Sequence, residues 1–124
     1  MADRESDKMG ATGGLTAQQE AGYEQSPWTR VCDKFRNEFG QRKASVVTSI
    51  SMFYDLDNPG KFVEDVKNIL DQNGIWILQM NYLVSMLENN AFDNIVHEHL
   101  EYYSLRQIKW MTDRANLKII NIEF

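Results

Sequence analysis

Both histidines of the chain fall in one short stretch, Asn94-Ile95-Val96-His97-Glu98-His99-Leu100-Glu101-Tyr102-Tyr103. A carboxylate stands between them and two phenols follow. Unperturbed imidazole titrates near neutral pH, so such a cluster can take and return a proton there, and a neighbouring carboxylate can tune it. A neutral imidazole here could remove a proton from a substrate, and Tyr102 or Tyr103 could donate to an oxyanion that develops. A metal-binding pair is the second reading, because His97 and His99 share one side of an extended chain. Its third ligand would have to come from Asp93, Glu98 or Glu101. The zinc-protease pattern fails, since Glu101 stands where the second histidine belongs. A third reading has both rings simply hydrogen-bonded inside a folded insert. Proton transfer is the preferred reading, with no metal.

The flanking sequence supplies the elements that must hold this cluster. Trp28, Val31, Cys32, Phe35 and Phe39 recur at helical spacing behind Ser26-Pro27, and Gly40 stops that helix. The β-branched run Ala44–Phe53 reads as a strand buried on both faces. Asp57-Asn58-Pro59 caps a second helix, with Phe62, Val63, Val66, Ile69 and Leu70 on one face and Asp71-Gln72-Asn73-Gly74 ending it. Ile75–Met80 is a second buried strand. Ser104 and Gln107 form a capping box for a helix carrying Leu105, Ile108, Met111 and Ala115. Asn116 ends it, and Leu117–Phe124 alternates as a last strand. This order is βαβ logic: an α/β fold with a parallel sheet, helices on both faces and about three recognisable strands. The insert from Asn81 to Tyr103 leaves the carboxyl end of a strand, where open α/β sheets bind ligands.

Bulk composition narrows the partners. The 124 residues suit one domain, and 43% hydrophobic with 25% charged residues is ordinary for a globular protein. A net charge of -5 without a basic stripe argues against nucleic acid. No apolar run reaches membrane-spanning length, and Met1–Lys8 lacks the apolar core of a signal peptide, so a cytoplasmic protein is expected. Cys32 is the single cysteine, which excludes an intrachain disulfide and a Cys-based zinc site. Residues 1–25 read as a flexible leader. Gly10-Ala11-Thr12-Gly13-Gly14 has no strand before it and is set aside as a nucleotide loop.

Two motifs in order, Met52-Phe53-Tyr54-Asp55-Leu56-Asp57-Asn58-Pro59 and Phe92-Asp93-Asn94 through Tyr103-Ser104, give the chain a family likeness. Over residues 35–124 it resembles a class I methyltransferase, and more narrowly the sugar C-methyltransferases that use S-adenosylmethionine. The resemblance implies a partial Rossmann-like domain over 26–124, with Val46–Met52 as the fourth strand of that sheet and Ile75–Met80 as the fifth. Ser51, Met52, Phe53 and Tyr54 would line the methionine end of the cofactor, although Met52 and Phe53 also suit a core at a strand end. His99 would be the base that generates an enolate or oxyanion, with Glu98 orienting it or holding a sugar hydroxyl and His97 completing the motif. Asn94, Tyr102 and Tyr103 would face a nucleotide-linked keto-deoxysugar. Val96 replaces the aromatic residue of many relatives. The family's glycine-rich turn has no counterpart in residues 1–34, so the sequence resembles a middle piece of the enzyme. The alternative is a non-catalytic half-domain that self-associates or meets a partner chain through unpaired sheet edges.

Overall fold

The computed structural model describes residues 27–124. The leader, the Gly10–Gly14 stretch and the Ser26 cap lie outside those residues. Helix α1 (Pro27–Phe39) ends where Gly40 takes φ 59° and its N–H donates to Arg36 O at 2.8 Å. Glycine adopts that left-handed geometry without a Cβ clash. Of the expected apolar stripe, Cys32 is buried and Phe35 half-buried, whereas Val31 and Phe39 face solvent. The cause is that α1 packs mainly on one other helix, so only a narrow line of it is covered.

That helix is α2 (Pro59–Ile69), which links strand β1 (Ala44–Ile50) to strand β2 (Leu70–Gln79) in a parallel βαβ unit. Asn58 Oδ1 accepts from Lys61 N at 3.1 Å, and Pro59 opens the helix with its preset φ. Phe62, Val63, Val66 and Ile69 are buried along one face of α2, as their spacing predicts. A buried carboxylate pins α1 to it: Asp65 Oδ1 accepts from Arg36 at 2.9 Å and from Lys61 at 2.8 Å. Charge-assisted pairs of this kind are the stronger class of hydrogen bond. The bond to Asp65 holds the Arg36 guanidinium protonated more firmly still. Burial, then the nearby Asp65 charge, pushes the Cys32 thiol above its ordinary value.

The strands differ from expectation in three ways. β1 stops at Ile50 instead of running to Phe53, because Ser51 turns at φ 50° and a short 3-10 turn, Phe53–Asp55, follows. β2 starts at Leu70, ahead of the Ile75 boundary the sequence predicts. Ala44 pairs with Leu70 and Val46 already pairs with Ile75, so Asp71–Gly74 bulge out between paired positions. Lastly, Leu117–Phe124 is not a strand. Asn116 ends the last helix, α4 (Leu105–Arg114), at φ 55° as expected. Beyond it, residues 118–124 make no main-chain hydrogen bond within the described residues. Alternating Ile120 and Ile122 favour extended chain, but a strand exists only where an edge is there to pair with it. The described sheet therefore has two strands rather than three.

Burial is one-sided, which corrects the reading of strands covered on both faces. Val47, Ser49, Trp76 and Leu78 turn toward α2, and Trp76 Nε1 donates to Ser49 Oγ at 3.0 Å. Val46, Thr48, Ile50, Ile75 and Ile77 face outward and are exposed. α1 and α4 both pack on α2 and neither crosses to the outer face. Among the described residues no helix is long and apolar enough to cross a membrane.

Candidate active site

The insert is more ordered than its sequence suggests. It opens with a short helix, α3 (Leu83–Glu88), and a 3-10 turn follows at Phe92–Asn94. Its two ends are tied together: Tyr82 bridges Tyr103, and Leu83 N donates to Tyr103 O at 2.9 Å. The insert is thus a closed loop rooted at the carboxyl end of β2. A second tether comes from the turn after β1, where Tyr54 O accepts from Leu100 N at 2.9 Å and from Glu101 N at 3.1 Å. The two sequence motifs therefore meet in space, at the end of the sheet where parallel strands present ligand sites.

The two histidines have opposite surroundings. His97 is 91% exposed, and its Nε2 lies 3.1 Å from Glu98 Oε1. His99 is half-buried, its ring tilted against that of Tyr54 with centroids 4.3 Å apart. Its Nδ1 lies 2.8 Å from the main-chain carbonyl of Asn94, which also accepts from Tyr102 OH at 3.2 Å. A carbonyl oxygen can only accept, so Nδ1 carries the hydrogen and the neutral ring presents Nε2 as its acceptor. Glu98 does not orient His99 in this arrangement: it faces the other ring, and the orienting group is the Asn94 carbonyl. Nor does Tyr102 offer a free hydroxyl, since it is spent on the same oxygen.

The turn residues assigned to the cofactor divide similarly. Ser51 is exposed at the end of β1, and its Oγ donates to Gln79 Oε1 at 2.8 Å. Met52, Phe53 and Tyr54 are buried. Phe53, at 0% exposure, sits among Phe62, Trp76 and Tyr103 with centroids 6.2, 5.9 and 5.3 Å away. Its side chain is part of the core, so any contact it makes with a ligand runs through its main chain. Tyr103 is buried against it with no hydrogen-bond partner for its hydroxyl among the described residues. Burial, with a smaller push from Glu101, raises that phenol well above its ordinary value. Tyr103 is thus a core ring in this structure. Asp55 Oδ1 and Asn58 Nδ2, which follow in the same turn, are likewise buried and unpartnered.

No three His, Cys, Asp or Glu side chains among the described residues are grouped to hold a metal ion. The groups that sequence reasoning missed are main-chain carbonyls at Asn94 and Tyr54, and the side chain of Asn81. A carbonyl leaves no mark in a sequence. Asn81 had one available signal, a polar residue directly after a strand's carboxyl end.

Comparison with known proteins agrees with this layout. The profile of a family described as a methyltransferase domain matches residues 6–122. C-methyltransferase NovU from Streptomyces niveus is 28% identical over 79 residues, covering 64% of this chain. The matched segment spans only 19% of that protein's length. No solved structure matches. A profile running over nearly the whole sequence, a parallel βαβ unit, and two motifs converging at its carboxyl end lead to one conclusion: the chain belongs to the methyltransferase domain family and holds part of its class I, Rossmann-like fold.

Proposed function

We propose that this chain takes part in S-adenosylmethionine-dependent methylation of a carbon beside the ketone of a nucleotide-linked deoxysugar, with His99 as general base. The observation that carries the proposal is the 2.8 Å contact of His99 Nδ1 with Asn94 O, which leaves Nε2 as the proton acceptor. Nε2 takes the proton from the carbon next to the ketone, and the substrate keeps the electron pair as an enolate. The Asn94 carbonyl stabilises the resulting imidazolium through Nδ1–H. General-base catalysis of this type contributes roughly 10²–10⁴-fold. Two residues support the methionine end of the cofactor here: Ser51 is exposed at the strand terminus, and Asp55 Oδ1 is an acceptor without a donor among the described residues, of the charge that suits an ammonium group. When bound, S-adenosylmethionine supplies an electrophilic methyl group. A small, soluble nucleotide sugar as substrate is consistent with a cytoplasmic site of action.

Solvent-deuterium incorporation next to the ketone of a nucleotide-linked 4-keto-deoxysugar tests the base directly, followed by NMR. His99→Ala is expected to lower the exchange rate by roughly 10²–10⁴-fold while His97→Ala leaves it within a few-fold. The opposite pattern would move the base to His97. Isothermal titration with S-adenosylmethionine tests the cofactor assignment, with a micromolar Kd (about -8 kcal/mol) expected for a competent site.

A second reading is supported by a separate observation. Val46, Ile50, Ile75 and Ile77 form an exposed apolar strip on the outer sheet face. Among the described residues each strand also has one unpaired edge. Such a surface suits a half-domain that associates with another chain instead of acting alone. Sedimentation of the purified chain separates the two readings: a monomer at micromolar concentration removes self-association as the chain's role.

A further inference from the structure

We infer that Asn81 is a positioning residue that sets the protonation form of His99, a conclusion that rests on the proposed role of His99 as base. Asn81 directly follows Met80 at the carboxyl end of β2 and is half-buried. Its Nδ2 donates to Asn94 Oδ1 at 3.0 Å, reaching across the insert from the sheet to the loop. The main chain of the same Asn94 supplies the oxygen that receives His99 Nδ1 at 2.8 Å. One residue therefore ties the rigid strand end to the carbonyl that fixes the ring.

This tether matters because it joins the 3-10 turn that carries Asn94 to the end of the sheet. Phe92, Ile95, Val96 and Leu100 around it are all exposed, so packing does not fix the Asn94 peptide. The peptide that carries the Asn94 carbonyl is also held by Ile95 N, which donates to Phe92 O at 3.0 Å, and its oxygen accepts from Tyr102 OH at 3.2 Å. These bonds run between loop residues, whereas Asn81 stands at the strand end. The partner of one ring nitrogen decides which nitrogen of a neutral imidazole carries the proton. A tilted carbonyl would release Nδ1, and the ring would then place its hydrogen on Nε2, the atom that must be bare to act as base. Asn81 acts on the chemistry through Asn94 and touches neither the ring nor a substrate.

Long-range ¹⁵N–¹H NMR on the labelled full chain tests the inference, at a pH where both imidazoles are neutral. His97, solvent-exposed, serves as the internal reference. His99 is expected mainly as the Nδ1–H form, and His97 mainly as Nε2–H. Asn81→Ala should move His99 to the same form as His97, with His97 and the circular dichroism unchanged. Asn81→Asp should restore the Nδ1–H form, because the Asn94 amide can turn over and donate to the carboxylate. His99 found as Nε2–H in the unmodified chain overturns the inference. So does an Asn81→Ala chain that folds and keeps His99 as Nδ1–H. If Asn81→Ala does not fold, Asn94→Ala cuts the same link from the loop side and is read the same way. The spectra need neither cofactor nor sugar, so a chain that never transfers a methyl group can still bear out the link, and an active one can still refute it.

Discussion

The two faces of the β1–β2 sheet are built from the same kinds of residue and have opposite fates. Toward α2, Val47, Trp76 and Leu78 pack on the ring cluster around Phe53; away from it, Val46, Ile50, Ile75 and Ile77 meet solvent. The hydrophobic effect rewards burying either set equally per unit area. What differs is the partner: α2, α1 and α4 all gather on one side. The comparison teaches that apolar strands state a demand for cover, and that only packed neighbours decide which side receives it.

The largest expected effect comes from removing the centre of the covered side. Phe53 is fully buried and touches three other rings, so Phe53→Ala should cost about 3–5 kcal/mol through lost transfer energy and an unfilled cavity. Small domains have only about 5–15 kcal/mol in total, so this variant should melt well below the unmodified chain when followed by circular dichroism. Retention of a cooperative thermal transition near that of the unmodified chain would mean that the ring cluster is not the seat of stability.

A smaller loss is expected where the two strands first meet. A Cβ at Gly74 would lie 2.8 Å from Ala44 O and 3.0 Å from Asp71 N, both main-chain atoms that cannot swing aside. Gly74→Ala should therefore destabilise by about 1–3 kcal/mol, the usual cost of overpacking. Urea unfolding reads this directly: a lower midpoint at unchanged slope means strain in the folded bulge. An unchanged midpoint would show that the bulge re-forms without the close approach.

These positions also mark how much was legible in sequence. The helix stops at Gly40 and Asn116, the Asn58-Pro59 cap and the Ser104–Gln107 box are local chemistry, so residue types alone identify them. The placement of both motifs at one end of a parallel sheet follows from βαβ logic. The bulge at Asp71–Gly74 did not show, because loop-type residues read as a helix end whether or not the chain pairs on either side. Leu117–Phe124 misled for the opposite reason: alternation is local, while pairing needs a neighbour. Within the site, residue type marks both histidines alike, and the choice of His99 comes from the family resemblance; the carbonyl that orients its ring leaves no mark in the sequence. The family resemblance implied Glu98 as the orienting partner, yet residues 97–98 form a turn, closed by His99 N donating to Val96 O at 3.2 Å, in which Glu98 meets His97 instead.

Tyr103 sharpens the contrast between covered residues that fit and one that fits imperfectly. Its ring is buried against Phe53, and its hydroxyl has no partner among the described residues. Tyr103→Phe removes an unsatisfied polar atom at little change in shape, so stability at neutral pH should hold or rise by about 1 kcal/mol. The pH dependence has a defined sign. Burial keeps the folded phenol neutral past the point where an unfolded one, near pH 10, gives up its proton. Above that pH the unfolded state binds fewer protons, so stability falls as pH rises. Tyr103→Phe should flatten that alkaline loss. What slope remains is expected from the Cys32 thiol, which burial raises in the same sense. An equally steep loss in the variant would mean that the Tyr103 hydroxyl reaches solvent in the folded protein.

The smallest effect on stability belongs to the outer face, and it decides most about the chain's role. Ile77 is 49% exposed, on the same outer strip as Ile75 and Val46. Ile77→Thr keeps a β-branched residue suited to a strand and adds a hydroxyl that water can reach. Its folding free energy should change by about 0.5 kcal/mol or less, as for ordinary surface substitutions. If the strip is a contact between chains, the same change should weaken association measurably while the thermal transition of dilute protein stays in place. A large loss of stability in a monomer would mean that the outer face is covered from within the chain, and the contrast between the two faces would then disappear.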